Sequence, residues 1–340
     1  MGAWFEPVHE RPSEFQRWAQ KCCMAVRLPS ISGNSIYFLS KHDIFKAPSK
    51  MFAAWPSLPH NGPRRKFRPW MKTPPFYDTH AHLGFAAFAA DLAQVIARAH
   101  EAGIAKIISI GTDLESSARA IQIAEENPRV YAAVGCHPTH VLDAPEDVGP
   151  ALRALARHPK VVAIGETGLD YHRRPDAAGP EPDFERYKAR QAEIFRQQME
   201  VASELGLNCI IHQRDSFEDT LAQWTPFASR TRGVFHCFSE SIEAMRRVLA
   251  LGCLVSFTGI VTFKNGGNVR EALAAAAPGQ FMFETDCPFL APVPYRGKRC
   301  EPAYVRDIAE LAAGVRNCSL EELSAMTCET AHRFFPKLKA

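Results

Sequence analysis

Histidines and carboxylates recur along this chain in short blocks, each placed after a run of apolar, β-favouring residues. His80 and His82 stand two apart in Asp78-Thr79-His80-Ala81-His82. In extended backbone that spacing puts both imidazoles on one face, where they can chelate a single cation. His137 ends Gly135-Cys136-His137-Pro138, and Glu166 follows Gly165 in a block that runs on to Asp170. His212 precedes Gln213 and Arg214, His236 precedes Cys237, and Glu284-Thr285-Asp286 forms the last block. Imidazole and carboxylate suit zinc, manganese and similar divalent ions. Glu166 has two oxygens with which to bridge a pair of ions. Two ions about 3.5–4 Å apart suit an in-line displacement at phosphorus. One histidine at a strand end is usually only hydrogen-bonded or solvated; recurrence at equivalent places is what argues for a joint site. His137 keeps three readings open: a ligand, a substrate contact, or a residue that orients the turn before Pro138. Asp78 is placed to orient a ligand histidine.

These blocks need elements to bring them together. From Phe76 onward, short β-rich runs alternate with longer amphipathic runs. Strands are expected over Phe76–Thr79, Lys106–Ile110, Val130–Val134, Val161–Ile164, Asn208–Ile211, Gly233–Phe235, Cys253–Phe257 and Phe281–Glu284. Helices are expected near Ala89–Ala102, Leu114–Glu126, Pro145–Arg157, Phe184–Leu205, Phe217–Trp224, Ile242–Leu251, Val269–Ala276, Ala303–Gly314 and Leu320–Phe335. Eight strand–helix units in about 260 residues are the count and size of a (β/α)₈ TIM barrel, an α/β fold whose active site sits at the carboxyl ends of the strands. A doubly wound sheet is the runner-up, but the first strand ends in histidine rather than in a glycine-rich phosphate loop.

The chain has 340 residues, 46% hydrophobic and 23% charged, which excludes a wholly disordered or collagen-like protein. Its net charge of +3 averages two unlike parts. Residues 1–74 hold 12 Lys+Arg against 4 Asp+Glu, so residues 75–340 hold 28 against 33. Prolines recur through the first seventy residues and would break most helices longer than about three turns. A short helix over Ser13–Arg27 and a basic stretch at Pro63–Arg68 are its local features. Residues 1–72 therefore read as a flexible or non-native extension, with Met71 as an alternative start. The ten cysteines form no C-x-x-C pair, so reduced thiols in a cytoplasmic protein are expected. No apolar run is long enough to cross a membrane, and nothing in the sequence calls for an obligate protein partner.

The blocks D-T-H-A-H, G-C-H-P, G-E-T-G-L-D-Y, I-H-Q-R, F-H-C-F-S and E-T-D-C-P, in that order, resemble the signature of TatD-type metal-dependent deoxyribonucleases, a branch of the amidohydrolase-like TIM barrels. The loop Pro292–Arg299 is also similar, although Cys300 stands where the family has Asn. The resemblance implies a barrel hydrolase domain over residues 73–340 that cleaves phosphodiester bonds of DNA or RNA with two divalent ions (Mg, Mn or Zn) and metal-activated water. By position, His80, His82 and Asp286 would hold one ion, His212 and His236 the second, and Glu166 would bridge. Asp286 would also be the general base, with Glu166 as its catalytic companion.

The acidic balance of the barrel rules out a broad basic groove, so phosphate must be held locally. Arg214, Arg296, Lys298 and Arg299 follow strand ends and are the candidates, with His137 and with Tyr295 as a base-stacking residue. Such a site suits single strands or strand ends. The loop Arg173–Phe184 is placed to act as a lid. Two other classes compete: a D-aminoacyl-tRNA deacylase or other amide or ester hydrolase on the same scaffold, and a non-catalytic protein on a decayed barrel. Retention of all six ligand-type positions speaks against the last.

Overall fold

The computed structural model of the chain describes residues 74–173 and 184–338. The expected N-terminal helix, the basic stretch at Pro63–Arg68 and the interior of the expected lid lie outside the described residues.

The described residues alternate strand and helix through eight strands and end in two successive helices. The strands are β1 (Phe76–Ala81), β2 (Ile104–Ile110), β3 (Val130–Val134), β4 (Val161–Asp170), β5 (Asn208–Arg214), β6 (Gly233–Phe235), β7 (Leu254–Phe257) and β8 (Phe281–Phe283). The helices are α1 (Leu92–Glu101), α2 (Leu114–Glu126), α3 (Gly149–Ala156), α4 (Phe184–Leu205), α5 (Phe217–Trp224), α6 (Ile242–Ala250), α7 (Gly267–Ala275), α8 (Val305–Arg316) and α9 (Leu320–Phe334). Every neighbouring strand pair is parallel and the order in the sheet is the order in the chain. That is the expected TIM barrel.

Capping residues set several boundaries. Asp113 accepts from the Ser116 N–H at 2.7 Å while the Ser116 hydroxyl accepts from the Asp113 N–H at 3.0 Å, a reciprocal cap that starts α2. Ser319 and Glu322 do the same for α9. Helix α8 stops where Asn317 takes a left-handed conformation, φ 50°.

The core has two layers. One face of the strands, including Ile107, Val130, Ala132, Val161 and Ile211, packs against the helices with Trp224 and Phe195. The other face, including Ile108, Ile110, Tyr131, Val162, Ile210, Val234 and Met282, fills the barrel interior together with Phe334, Phe335 and Leu338 from the end of the chain. Asn208, the first residue of β5, donates to the Phe334 carbonyl, so α9 closes the end where the strands begin. Each phenylalanine buried there contributes roughly 1.5–3 kcal/mol.

The seam between first and last strands continues past β8. The Asp286 N–H donates to the His80 carbonyl at 2.9 Å, and the His82 N–H donates to the Cys287 carbonyl at 2.9 Å. Thr79 Oγ1 donates to the Phe283 carbonyl at 3.1 Å. This pairing sets the last block of acidic residues beside the first pair of histidines. Three strands run further than expected: β1 through Ala81, β4 through Asp170 and β5 through Arg214. The α8 region opens with a 3₁₀ turn, Pro302–Tyr304, before the helix proper.

Candidate metal centre at the barrel mouth

Each expected ligand arrives from a strand end or the turn after it. His80 ends inside β1 and His82 directly follows it; Glu166 lies in β4 and His212 in β5; His236 follows β6 and Asp286 follows β8. Local backbone makes room for them. Gly168 has φ +132°, and a Cβ there would stand 2.0 Å from the His212 carbonyl oxygen, so only glycine lets β4 run this close to β5.

The side chains converge in two sets around Glu166. Its Oε2 faces the Nε2 atoms of His80 and His82 at 3.3 and 3.5 Å. Asp286 Oδ1 joins that set, 3.7 Å from His80 Nε2 and 3.2 Å from His82 Nε2, and the two imidazole nitrogens stand 3.3 Å apart. The other oxygen, Oε1, lies 2.8 Å from His212 Nδ1 and 2.8 Å from His236 Nε2, which are 3.2 Å from one another. His137 Nε2 completes the second set at 3.4 Å from Oε1. The rings of His80 and His236 stack across the sets, 4.1 Å between centroids and 9° from parallel.

The spacings of the first set fit a divalent cation. Donor atoms bound tetrahedrally at about 2.0–2.2 Å stand roughly 3.3–3.6 Å from one another, and the first set spans 3.2–3.7 Å. Ligand atoms of His80, His82 and Glu166, of His80, His236 and Asp286, and of His137, Glu166 and His212 each lie within 4.8 Å of one another. The Nδ1 atoms of His80 and His82 are buried with no hydrogen-bond partner among the described residues.

The electrostatics follow from the packing. Burial pushes the Glu166 carboxyl up, but the charges of His236, His137 and His80 outweigh it and hold Glu166 well below the usual range. Burial pushes His236 down, yet Glu166 and Glu284 carry it well above an ordinary histidine. His212 is raised too: burial works against it, and hydrogen bonds to Asp170 and Glu166 overcome that. His80 is lowered, by burial first and then by the charge of His236. Burial brings His137 down to about 4. Burial pushes Asp286 up, but its bond to His82 and the charge of His80 bring it below the normal value, so it is ionised at neutral pH.

Three residues behind the centre had no assigned or only a partial role in the sequence reading. Asp170 Oδ2 lies 3.2 Å from His212 Nε2. Glu284 Oε1 lies 3.4 Å from His236 Nδ1. Strand parity was the available signal: Asp170 is four residues after Glu166 in one strand, and even spacing keeps a single face. Asp78 does not orient an imidazole, as expected, but braces backbone: it accepts from the His80 N–H at 3.3 Å and from the Thr285 N–H at 2.9 Å.

The expected substrate contacts are more scattered. Arg214 is half-buried at the end of β5, whereas Arg296 and Lys298 are exposed. The Arg296 guanidinium lies 3.6 Å from the Phe263 ring centroid. Tyr295 stacks flat on Tyr304 at 4.2 Å, which covers one of its faces. Arg299 is not a free phosphate donor, because Asp91 and Glu301 hold it at 2.7 and 2.8 Å.

The family described as TatD related DNase matches residues 77–336. A Bacillus subtilis relative, the uncharacterized metal-dependent hydrolase YabD, is 39% identical over 260 residues, covering 76% of this chain and 98% of its own. The 3'-5' ssDNA/RNA exonuclease TatD of Erwinia billingiae is 32% identical over 266 residues, covering 76% of this chain and 98% of its own. The crystal structure of YJJV, a TatD homologue from Escherichia coli, superposes with a TM-score of 0.68 at 30% identity, covering 77% of this chain and 98% of that one. The chain belongs to the TatD family of metal-dependent hydrolases.

Proposed function

We propose that this hydrolase is an exonuclease that cleaves phosphodiester bonds at the ends of single-stranded DNA or RNA, using two divalent cations. The observation that carries the reading is the division of Glu166: Oε2 faces His80 and His82, while Oε1 faces His212, His236 and His137. One carboxylate between two nitrogen sets is an arrangement that can bridge a pair of cations. The exonuclease name of the Erwinia relative supports the substrate class.

His80, His82 and Asp286 would hold one cation, His212 and His236 the other, with Glu166 between them. Cations held there would supply Lewis acidity, polarising phosphoryl oxygens and making water more acidic. The chain's own groups do the rest. Asp286, ionised beside His82, accepts the proton from the attacking water. His137, placed by the 2.7 Å contact of its Nδ1 with Thr139 Oγ1, sits where a phosphate oxygen can approach its Nε2. Arg214, Arg296 and Lys298 pair with phosphates along the strand, which suits a barrel of acidic balance. Its eight described cysteines are unpaired, in keeping with a cytoplasmic setting, and no described helix is long and apolar enough to cross a membrane.

The test is hydrolysis of end-labelled single-stranded DNA, single-stranded RNA, duplex DNA and D-aminoacyl-tRNA, with and without EDTA. The expected result is chelator-sensitive release of mononucleotides from the single strands. Hydrolysis of D-aminoacyl-tRNA alone would replace this reading with the deacylase, and no chelator-sensitive hydrolysis would remove both.

A further inference from the structure

The imidazoles of the two donor sets are supported differently from behind. His212 turns Nδ1 toward Glu166 and places Nε2 3.2 Å from Asp170 Oδ2. Asp170 is itself fixed. Its Oδ1 accepts from the N–H groups of His172 and Arg173, each at 2.9 Å. Gln191 grips its backbone on both sides, accepting from the Asp170 N–H at 2.9 Å and donating to the Asp170 carbonyl at 2.9 Å. His236 is arranged in the opposite sense, with Nε2 toward Glu166 and Nδ1 3.4 Å from Glu284 Oε1. That is an ion-pair distance rather than a regular hydrogen bond, since His236 Nδ1 has no hydrogen-bond partner among the described residues. Glu284 is held by the Cys237 N–H on one oxygen and the Ser256 hydroxyl on the other, both at 2.7 Å. Both carboxylates are buried. Behind His80 and His82 the far nitrogens meet no such partner.

A carboxylate behind an imidazole fixes which nitrogen keeps the proton, and so which nitrogen offers its lone pair, and it raises the basicity of that lone pair. We propose that Asp170 and Glu284 are positioning residues that set cation affinity selectively in the His212/His236 half of the centre. This rests on the two-cation reading given above. The His80/His82 half depends instead on Asp286, which faces the cation place directly.

The experiment titrates the EDTA-stripped full chain with Co²⁺, following the visible d–d bands and the heat of binding. His212→Ala and His82→Ala assign the two binding events to their halves. Asp170→Asn, close to isosteric, is expected to weaken the event that His212→Ala abolishes by about 10–100-fold. The event that His82→Ala abolishes should move by less than about threefold. A readout without cation accompanies it: in ¹⁵N-histidine-labelled, stripped protein, Asp170→Asn should shift the His212 ring nitrogens, while a merely structural loss would move many histidines together. If Asp170→Asn does not fold, Ser256→Ala, which frees one oxygen of Glu284, tests the same event through His236. The proposal is overturned if both events keep their affinity in these variants, or if the His82-dependent event weakens as much. A single event in the unaltered chain would instead remove the two-cation reading, and the response of that event to Asp170→Asn would still decide the role of Asp170.

Discussion

Asp78 reaches across the barrel seam to Thr285: its Oδ2 accepts the Thr285 hydroxyl at 2.6 Å and its Oδ1 the Thr285 N–H at 2.9 Å. The two residues lie 207 positions apart, and both are buried. Because Asp286 follows Thr285 directly, this clasp helps set the distance between Asp286 and His80 and His82. Thr285→Val keeps the shape and removes one donor from a buried carboxylate. It is expected to lower stability by about 1–3 kcal/mol and to weaken cation binding as Asp286 shifts. Urea denaturation measures the first effect, and an unchanged midpoint would show that the clasp adds nothing.

Asp286→Asn removes the proton acceptor while keeping the size of the side chain. Turnover on single-stranded DNA should fall by about 10²–10⁴-fold. Glu166→Gln should cost at least as much and should also lower the bound metal measured by elemental analysis, since both donor sets share that carboxylate. Full activity in either variant would contradict the assigned roles.

Cation binding should stabilise the fold more at pH 8 than at pH 6. In the cation-free chain His212 and His236 are raised, so the stability they contribute is present below about 6.5, the unfolded value, and is lost as pH climbs through their higher folded values. Bound cations need those rings neutral, so protons compete with them most at the acid end. His137, at about 4, is already neutral across this window, and Glu166, held well below the usual range, is already ionised. Thermal melts with and without Mn²⁺ at both pH values test this. A cation-induced rise in Tm that is equal or larger at pH 6 would refute it.

Gly168→Ala is expected to damage the centre from outside it. The added Cβ would press on the His212 carbonyl in a backbone conformation that alanine resists. A loss of about 2 kcal/mol or more and a clear drop in cation affinity should appear together, by denaturation and by titration. Wild-type values for both would show that β4 can yield without moving His212.

A chain beginning at Met71 should keep full activity and melt within about 2 °C of the full chain, a difference of less than about 1 kcal/mol. The eight strands, their helices and every proposed ligand lie after that residue. Lost activity, or a fall of about 5 °C, would give the first seventy residues a part in the enzyme.

The barrel was legible, and the candidate ligands could be picked out, because each uses a signal carried within a few residues: a period in hydrophobicity, or a histidine at a strand end. Helices α2, α4 and α5 and strands β3 and β6 occupy the residues their patterns indicate. Strands β1, β4 and β5 run beyond their apolar stretches, carrying polar residues such as His80, Glu166, Asp170 and His212 that meet one another inside the mouth. Pairings between distant segments left no local mark. Arg299 reads as a free cation until Asp91, 208 positions earlier, is placed beside it. Tyr295 reads as an open ring until Tyr304 covers one face. Asp170 and Glu284 were missed differently: each stood in a recognised block, but only the folded strands show that they lie directly behind His212 and His236.

The seam that joins β1 to the segment after β8 also bears on how the chain is made. The ribosome releases His80 and His82 early, but Asp286 and the clasp on Asp78 emerge only some two hundred residues later, and Phe334 and Phe335, which close the barrel floor, come last of all. Nascent chains therefore carry an incomplete set of the proposed donors, with an unpaired sheet edge, until that segment emerges. The proposed donor set is therefore complete only after Asp286 has emerged, and the barrel floor only after Phe334 and Phe335.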